Sequence, residues 1–118
     1  MGLSEITTDG AWLPDACTLP TAERPLRVAE FDDLSTDAVR GIERIGADRL
    51  RLHLRPDSRT AARSAELAAA ETACCSFFTF TLTITGGSLV LEVTVPAPHA
   101  AVLDALAARI SAAAGITP

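Results

Sequence analysis

The stretch TFTLTITGGSLVLEVTV, residues 79–95, decides the fold. Apolar and polar residues alternate on both sides of Gly86-Gly87, which is the pattern of a half-buried strand. A glycine pair between two such strands predicts a two-residue hairpin turn. This register predicts a core side with Phe78, Phe80, Leu82, Ile84, Leu89, Leu91, Val93 and Val95, and an opposite side with Thr79, Thr81, Thr83 and Thr85.

Upstream, the segment RLRLHLR at residues 49–55 predicts another half-buried strand, because its leucines alternate with charged residues. Gly46-Ala47-Asp48 predicts a turn that joins it to a strand at residues 39–45. Helices are predicted at about residues 25–34, 59–74 and 98–113 from their apolar spacing. The order α-β-β-α-β-β-α predicts a two-layer α+β fold, an antiparallel sheet with helices over one face.

Length and composition favour one folded domain. The chain has 118 residues, of which 48% are hydrophobic and 21% are charged. We assign the domain to residues 12–118 and expect residues 1–11, which have no apolar period, to form a flexible arm. The first ten residues lack the features of a signal peptide, and no apolar run approaches the roughly 20 residues that cross a bilayer. A soluble cytoplasmic protein that does not bind membranes is expected.

The net charge of −5 argues against a nucleic-acid partner, because the field of the whole molecule repels phosphates. All ten basic residues are arginines. Nothing in the chain has the pattern of a phosphate-binding glycine loop or a hydrolase nucleophile motif.

The three cysteines are Cys17, Cys74 and Cys75. Adjacent cysteines rarely form a disulfide, because bridged Cα atoms are usually about 4.4–6.8 Å apart and neighbours on a trans chain about 3.8 Å. In a reducing cytosol, three free thiols are expected.

These thiols have two interpretations that the spacing leaves open. Cys74 and Cys75 follow Glu71 by three and four residues, so the three share one side of a helix turn. Thiolates are ligands for Zn(II), Hg(II), Cu(I) and trivalent arsenic, and Cys17 could supply a third sulfur. Asp15 lies beside Cys17, and with Glu71 it could orient the site. Alternatively, the cysteines are small buried hydrophobes, since the negative end of a helix disfavours a thiolate.

The segments CTLPTAERPLRVAEFDDL (residues 17–34) and AAAETACCSFFTFTLTITGGSLVLEVTVP (residues 68–96) resemble a small, uncharacterised bacterial family. Its pattern is a single cysteine before Leu-Pro and a later E-x-x-C-C-x-F-x-x-F motif. Ser76 stands where relatives have proline. The resemblance covers about residues 12–112 and implies an association with heavy-metal or MerR-type regulatory genes. The matching positions are Cys17, Leu19, Pro20, Glu71, Cys74, Cys75, Phe77 or Phe78, and Phe80.

Three functional hypotheses follow. The first is a binding protein for a thiophilic metal or metalloid, with Cys17, Cys74 and Cys75 as ligands. The second is an enzyme similar to organomercurial lyases, in which Asp15 or Glu71 delivers a proton. The third is a dimerisation module with inert cysteines. The sequence favours binding over catalysis, and it predicts a homodimer through the threonine side of the sheet. His53 and His99 have no ligand spacing to a cysteine.

Overall fold

A computed structural model describes residues 24–74 and 76–116 of the protein, and the predicted arm at residues 1–11 lies outside them. Three α-helices and four β-strands occur in this part in the predicted order. They are α1 (Arg24–Ala38), β1 (Val39–Ile45), β2 (Arg49–Leu54), α2 (Ser58–Cys74), β3 (Thr79–Thr85), β4 (Ser88–Thr94) and α3 (Ala100–Ala114), with a 3-10 turn (Ala97–His99) before α3.

The four strands form one antiparallel sheet in the order β1-β2-β4-β3. The predicted hairpin is confirmed: Thr85 pairs with Ser88, and the turn is Gly86-Gly87. Both glycines have positive φ values, 54° and 78°, and such a turn matches the right-handed twist of the strands. β2 pairs with β4 from Arg49–Thr94 to Leu54–Leu89, which brings the two predicted hairpins together in one sheet.

The main core lies between α3 and one face of the sheet. The predicted inward residues of the central strands are buried, and α3 contributes side chains at helical spacing. These residues are Leu50, Leu52, Leu54, Leu89, Leu91 and Val93 from the sheet, and Leu103, Leu106, Ala107 and Ile110 from α3. Thr79, Thr81, Thr83 and Thr85 are exposed, as the hairpin register requires. The α+β fold with helices packed on the sheet is therefore confirmed.

A second, smaller core joins α1 to α2. It contains Phe31, Leu34 and Ala38 of α1 and Leu67 of α2. α1 also packs against α3, where the guanidinium of Arg109 donates to both carboxylate oxygens of Asp32, at 3.0 and 2.9 Å. α1 is thus held by an apolar contact on one side and a bidentate ion pair on the other.

Three details differ from the sequence-based predictions. α1 continues past Leu34 to Ala38, which is buried in the core between α1 and α2, and within this turn the Ser35 hydroxyl donates to the Phe31 carbonyl at 2.8 Å. The last α-helix begins at Ala100, since the segment after Pro96 first forms a 3-10 turn. Ile84, placed on the core side, is 68% exposed, because the helix layer leaves this end of β3 uncovered.

Candidate functional site

The candidate site lies around the C-terminal end of α2. The start of this helix is fixed by a cap. Asp57 caps α2: its carboxylate accepts the backbone N–H of Thr60 at 2.7 Å and the Nε–H of Arg55 at 2.6 Å. These contacts, the Thr60 amide first, lower the pKa of Asp57 to about 2. The ionised cap fixes the first turn of the helix that carries Glu71 and Cys74 at its other end.

Glu71 lies three residues before the end of α2 and is completely buried. Burial of a carboxyl group is costly unless it is paired, hydrogen-bonded or protonated, so the groups around Glu71 must offset that cost. α2 ends at Cys74, which places the Cys74 backbone in the last turn, as predicted. The Cys74 side chain, and all of Cys75, Cys17 and Asp15, lie outside what the structure describes.

The start of α1 lies at the same end of the helix layer as the end of α2, because the two helices pack antiparallel. Near the C-terminus of α1, the Asp37 carboxylate meets the Arg63 guanidinium at 3.3 Å. About two turns before Asp37, Glu30 of α1 lines the same groove as Leu67, which lies one turn after Arg63 on α2. The Arg55 N–H, just before α2, donates to the Ala38 carbonyl at the end of α1 at 2.8 Å, so the end of α1 lies beside the start of α2.

This arrangement bears on Cys17, which precedes Arg24 by seven residues. Seven residues of extended chain span at most about 25 Å. α1 begins at Arg24, towards the end of the helix layer at which α2 ends, and Cys17 lies seven residues before Arg24 in the sequence. If α1 ran in the opposite direction, the chain that precedes it would start about 22 Å further from the end of α2, which is the length of this fifteen-residue helix.

An aromatic contact that the sequence did not predict borders the same region. The rings of Phe77 and His99 stack with centroids 4.2 Å apart and planes 9° from parallel. Phe77 also contacts the buried ring of Phe78, at 4.7 Å. His99 therefore contacts a residue that follows the end of α2 by three positions. The interaction joins residues 22 positions apart, so no local pattern could have predicted it.

His53 lies elsewhere, on the sheet face that points away from the helices. Its Nε2 is 2.7 Å from the Glu43 carboxylate, and this hydrogen bond is the main reason that the pKa of Glu43 is lowered. Arg51 on the same face donates to Glu92 at 2.8 Å. The sheet therefore separates His53 from the helix that carries Glu71 and Cys74, which leaves His99 as the histidine nearer to the candidate site.

The described residues contain no cluster of three or more His, Cys, Asp or Glu side chains that could hold a metal ion. The side chains of all three proposed ligands, Cys17, Cys74 and Cys75, lie outside that part. The described helices include none that is long and apolar enough to cross a membrane. Compared with known proteins, the chain matches no family model, no curated protein and no solved structure.

Proposed function

We propose that the protein binds a thiophilic metal or metalloid ion through the thiolates of Cys17, Cys74 and Cys75. The observation that supports this proposal is the antiparallel packing of α1 and α2, because α1 begins, seven residues after Cys17, towards the end of the helix layer at which α2 ends. Three sulfur ligands suit Zn(II), Hg(II), Cu(I) and trivalent arsenic, which prefer soft donors.

Rigidity on one side of the site supports the proposal. α2 is capped by Asp57 at its start and packs Leu67 against α1. A preorganised ligand loses less conformational entropy when the ion binds. The pair Cys74-Cys75 would supply this fixed half, and the Cys17 segment would close on it.

The buried Glu71 side chain and the Phe77–His99 stack supply the surroundings. A buried carboxyl group one helical turn before Cys74 is placed to orient a ligand through hydrogen bonds. The stacked rings of Phe77 and His99 would anchor the chain just after the proposed ligands.

The ionisation of the thiols should depend on whether a cation is bound. The C-terminal end of a helix carries a partial negative charge, which opposes the ionisation of a nearby thiol. A bound cation reverses this effect, so the thiolates form when the metal arrives and protons are released. Affinity should therefore rise with pH, until the free thiols themselves ionise.

Isothermal titration calorimetry with Zn(II), Hg(II) and trivalent arsenic tests the proposal, with a monothiol in excess so that only chelation by several sulfurs persists. We expect one ion per chain, and a large loss of affinity in Cys74→Ser and in Cys75→Ser. Thr72→Ala is the matched control, because Thr72 lies in the same turn and its hydroxyl donates to the Ala69 carbonyl of its own helix. Binding by the two serine variants at the strength of the wild type would refute the proposal.

A further inference from the structure

β3 forms one edge of the sheet, and none of the described residues pairs with its outer side. Its sequence, TFTLTIT, has no charge, proline or glycine, and its pairing with β4 is continuous along all seven residues. Natural edge strands are usually protected from association by charges, prolines or bulges. β3 has none of these.

The opposite edge, β1, is protected. Its register with β2 shifts between Val39 and Gly41, which indicates a bulge. It also carries three charged residues, Arg40, Glu43 and Arg44. The two edges of one sheet therefore differ in the features that prevent pairing with another strand, and the difference singles out β3.

The backbone groups available on β3 can be assigned from the hairpin. A two-residue turn makes the flanking residues, Thr85 and Ser88, a hydrogen-bonded pair. Alternate residues of an antiparallel ladder then direct their N–H and C=O groups to the other side. On β3 these are Phe80, Leu82 and Ile84, whose side chains are also the incompletely covered ones.

We propose that β3 pairs with β3 of a second copy of this chain, antiparallel about a twofold axis at Leu82. This register places Leu82 opposite Leu82 of the other copy, and Phe80 opposite Ile84. It also places Thr81 opposite Thr83, and β-branched pairs of this kind stabilise sheets. The outward backbone groups of each copy meet the outward groups of the other, so both edges are satisfied at once.

Charge identifies a second copy, rather than a charged peptide, as the partner. β3 has no charged side chain to select an acidic or a basic strand, whereas its sequence complements itself in the register above. The same operation on β1 would place Arg40 opposite Arg44, and like charges directly opposite each other destabilise a sheet. β1, which would repel a second copy of itself, is protected from pairing, whereas β3, which complements a second copy of itself, is open.

Pairing at the edge also covers apolar surface that the monomer exposes. Ile84 is 68% exposed, and with Leu89, Ala61 and Pro56 it lines a cavity of about 340 Å³ at the end of β3. In the proposed dimer, Phe80 of the second copy lies beside Ile84. The threonine side of the sheet is a poorer interface, because the adjoining Glu43, Arg51 and Glu92 would have to lose their water.

Sedimentation equilibrium over a roughly hundredfold range of concentration tests the proposal with two charge variants. Thr81→Lys with Thr83→Lys places lysines opposite lysines across the axis and should weaken association about tenfold. Thr81→Lys with Thr83→Glu places opposite charges there and should restore association. Both variants change exposed side chains, and matching melting temperatures of the dilute proteins establish that each still folds.

Hydrogen exchange gives a second readout. The amides of Phe80, Leu82 and Ile84 should become protected as the concentration rises, whereas those of Thr81 and Thr83 are already protected by β4. A wild type that is monomeric at every concentration would overturn the proposal. An equally tight dimer in the double-lysine variant would do so as well, because the interface would then lie elsewhere.

Discussion

Phe77 and His99 stack face to face, with ring centroids 4.2 Å apart and planes only 9° from parallel. The contact joins the segment between α2 and β3 to the 3-10 turn before α3. It joins Phe77, just before β3, to the chain just after β4, the strand that pairs with β3. Under the proposed function, His99 would report on metal binding, because its ring stacks on a residue two positions after Cys75 in the sequence.

The two histidines should therefore respond differently to metal. When Zn(II) is added, the ring resonances of His99 in NMR spectra should shift, because the neighbouring cysteines reorganise. Those of His53 should stay in place, since its ring binds Glu43 on the opposite face of the sheet. Equal shifts of both rings, or of neither, would contradict the location of the site.

The Asp57 cap should make stability depend on acid pH. Its folded-state pKa of about 2 lies below the ordinary value of 3.8, so its contribution is fully present above pH 3.8 and is lost as the pH falls towards about 2. Asp57→Asn keeps an oxygen acceptor but removes the charge. In chemical unfolding, the stability difference between wild type and variant should shrink to nothing across this range, and a constant difference would count against the assignment.

The hairpin register predicts unequal costs for two truncations. Leu91 is 2% exposed, so Leu91→Ala should destabilise the protein by about 2–5 kcal/mol. Ile84 lies on the same side of the sheet but is 68% exposed, and Ile84→Ala should change the stability of the dilute protein by less than about 0.5 kcal/mol. Urea unfolding compares the two, and similar losses would mean that the core extends further along β3 than it does here.

The ion pair between Arg109 and Asp32 should couple α3 to α1. Because it is bidentate and both side chains are about two-thirds buried, a double-mutant cycle to alanine should give a coupling of about 0.5–1 kcal/mol. The pair Arg44–Asp104 is the control: its contact is short, at 2.6 Å, but the Asp104 side chain is 67% exposed. If the coupling free energy of Arg44–Asp104 is as large as that of Arg109–Asp32, burial does not determine the strength of these ion pairs.

Local pattern was sufficient to predict the element order and the hairpin. Strand alternation and the glycine pair act over neighbouring residues, so the sequence specifies them directly. The exposure of Ile84 and the Phe77–His99 stack depend on where helices and loops lie against the sheet. Such long-range packing leaves no periodic signal, which is why neither was predicted.

The candidate site was predictable only in part, for a similar reason. The spacing from Glu71 to Cys74 predicted that both lie near the end of one helix, and α2 has these bounds. That Glu71 is completely buried was not expected, because an Ala-rich helix with a single leucine in its second half gives little indication of its inward side. The antiparallel packing of α1 and α2, on which the proposed role of Cys17 rests, is a long-range feature that no motif encodes.

X-ray absorption of the zinc-loaded protein tests the central claim most directly, because it counts the sulfur atoms around the ion. A site formed by Cys17, Cys74 and Cys75 predicts about three sulfur scatterers at about 2.3 Å. The Cys17→Ser protein should then show about two sulfur scatterers, whereas Thr72→Ala should keep all three. A first shell of only nitrogen and oxygen atoms at about 2.0–2.2 Å in the wild type would contradict the account.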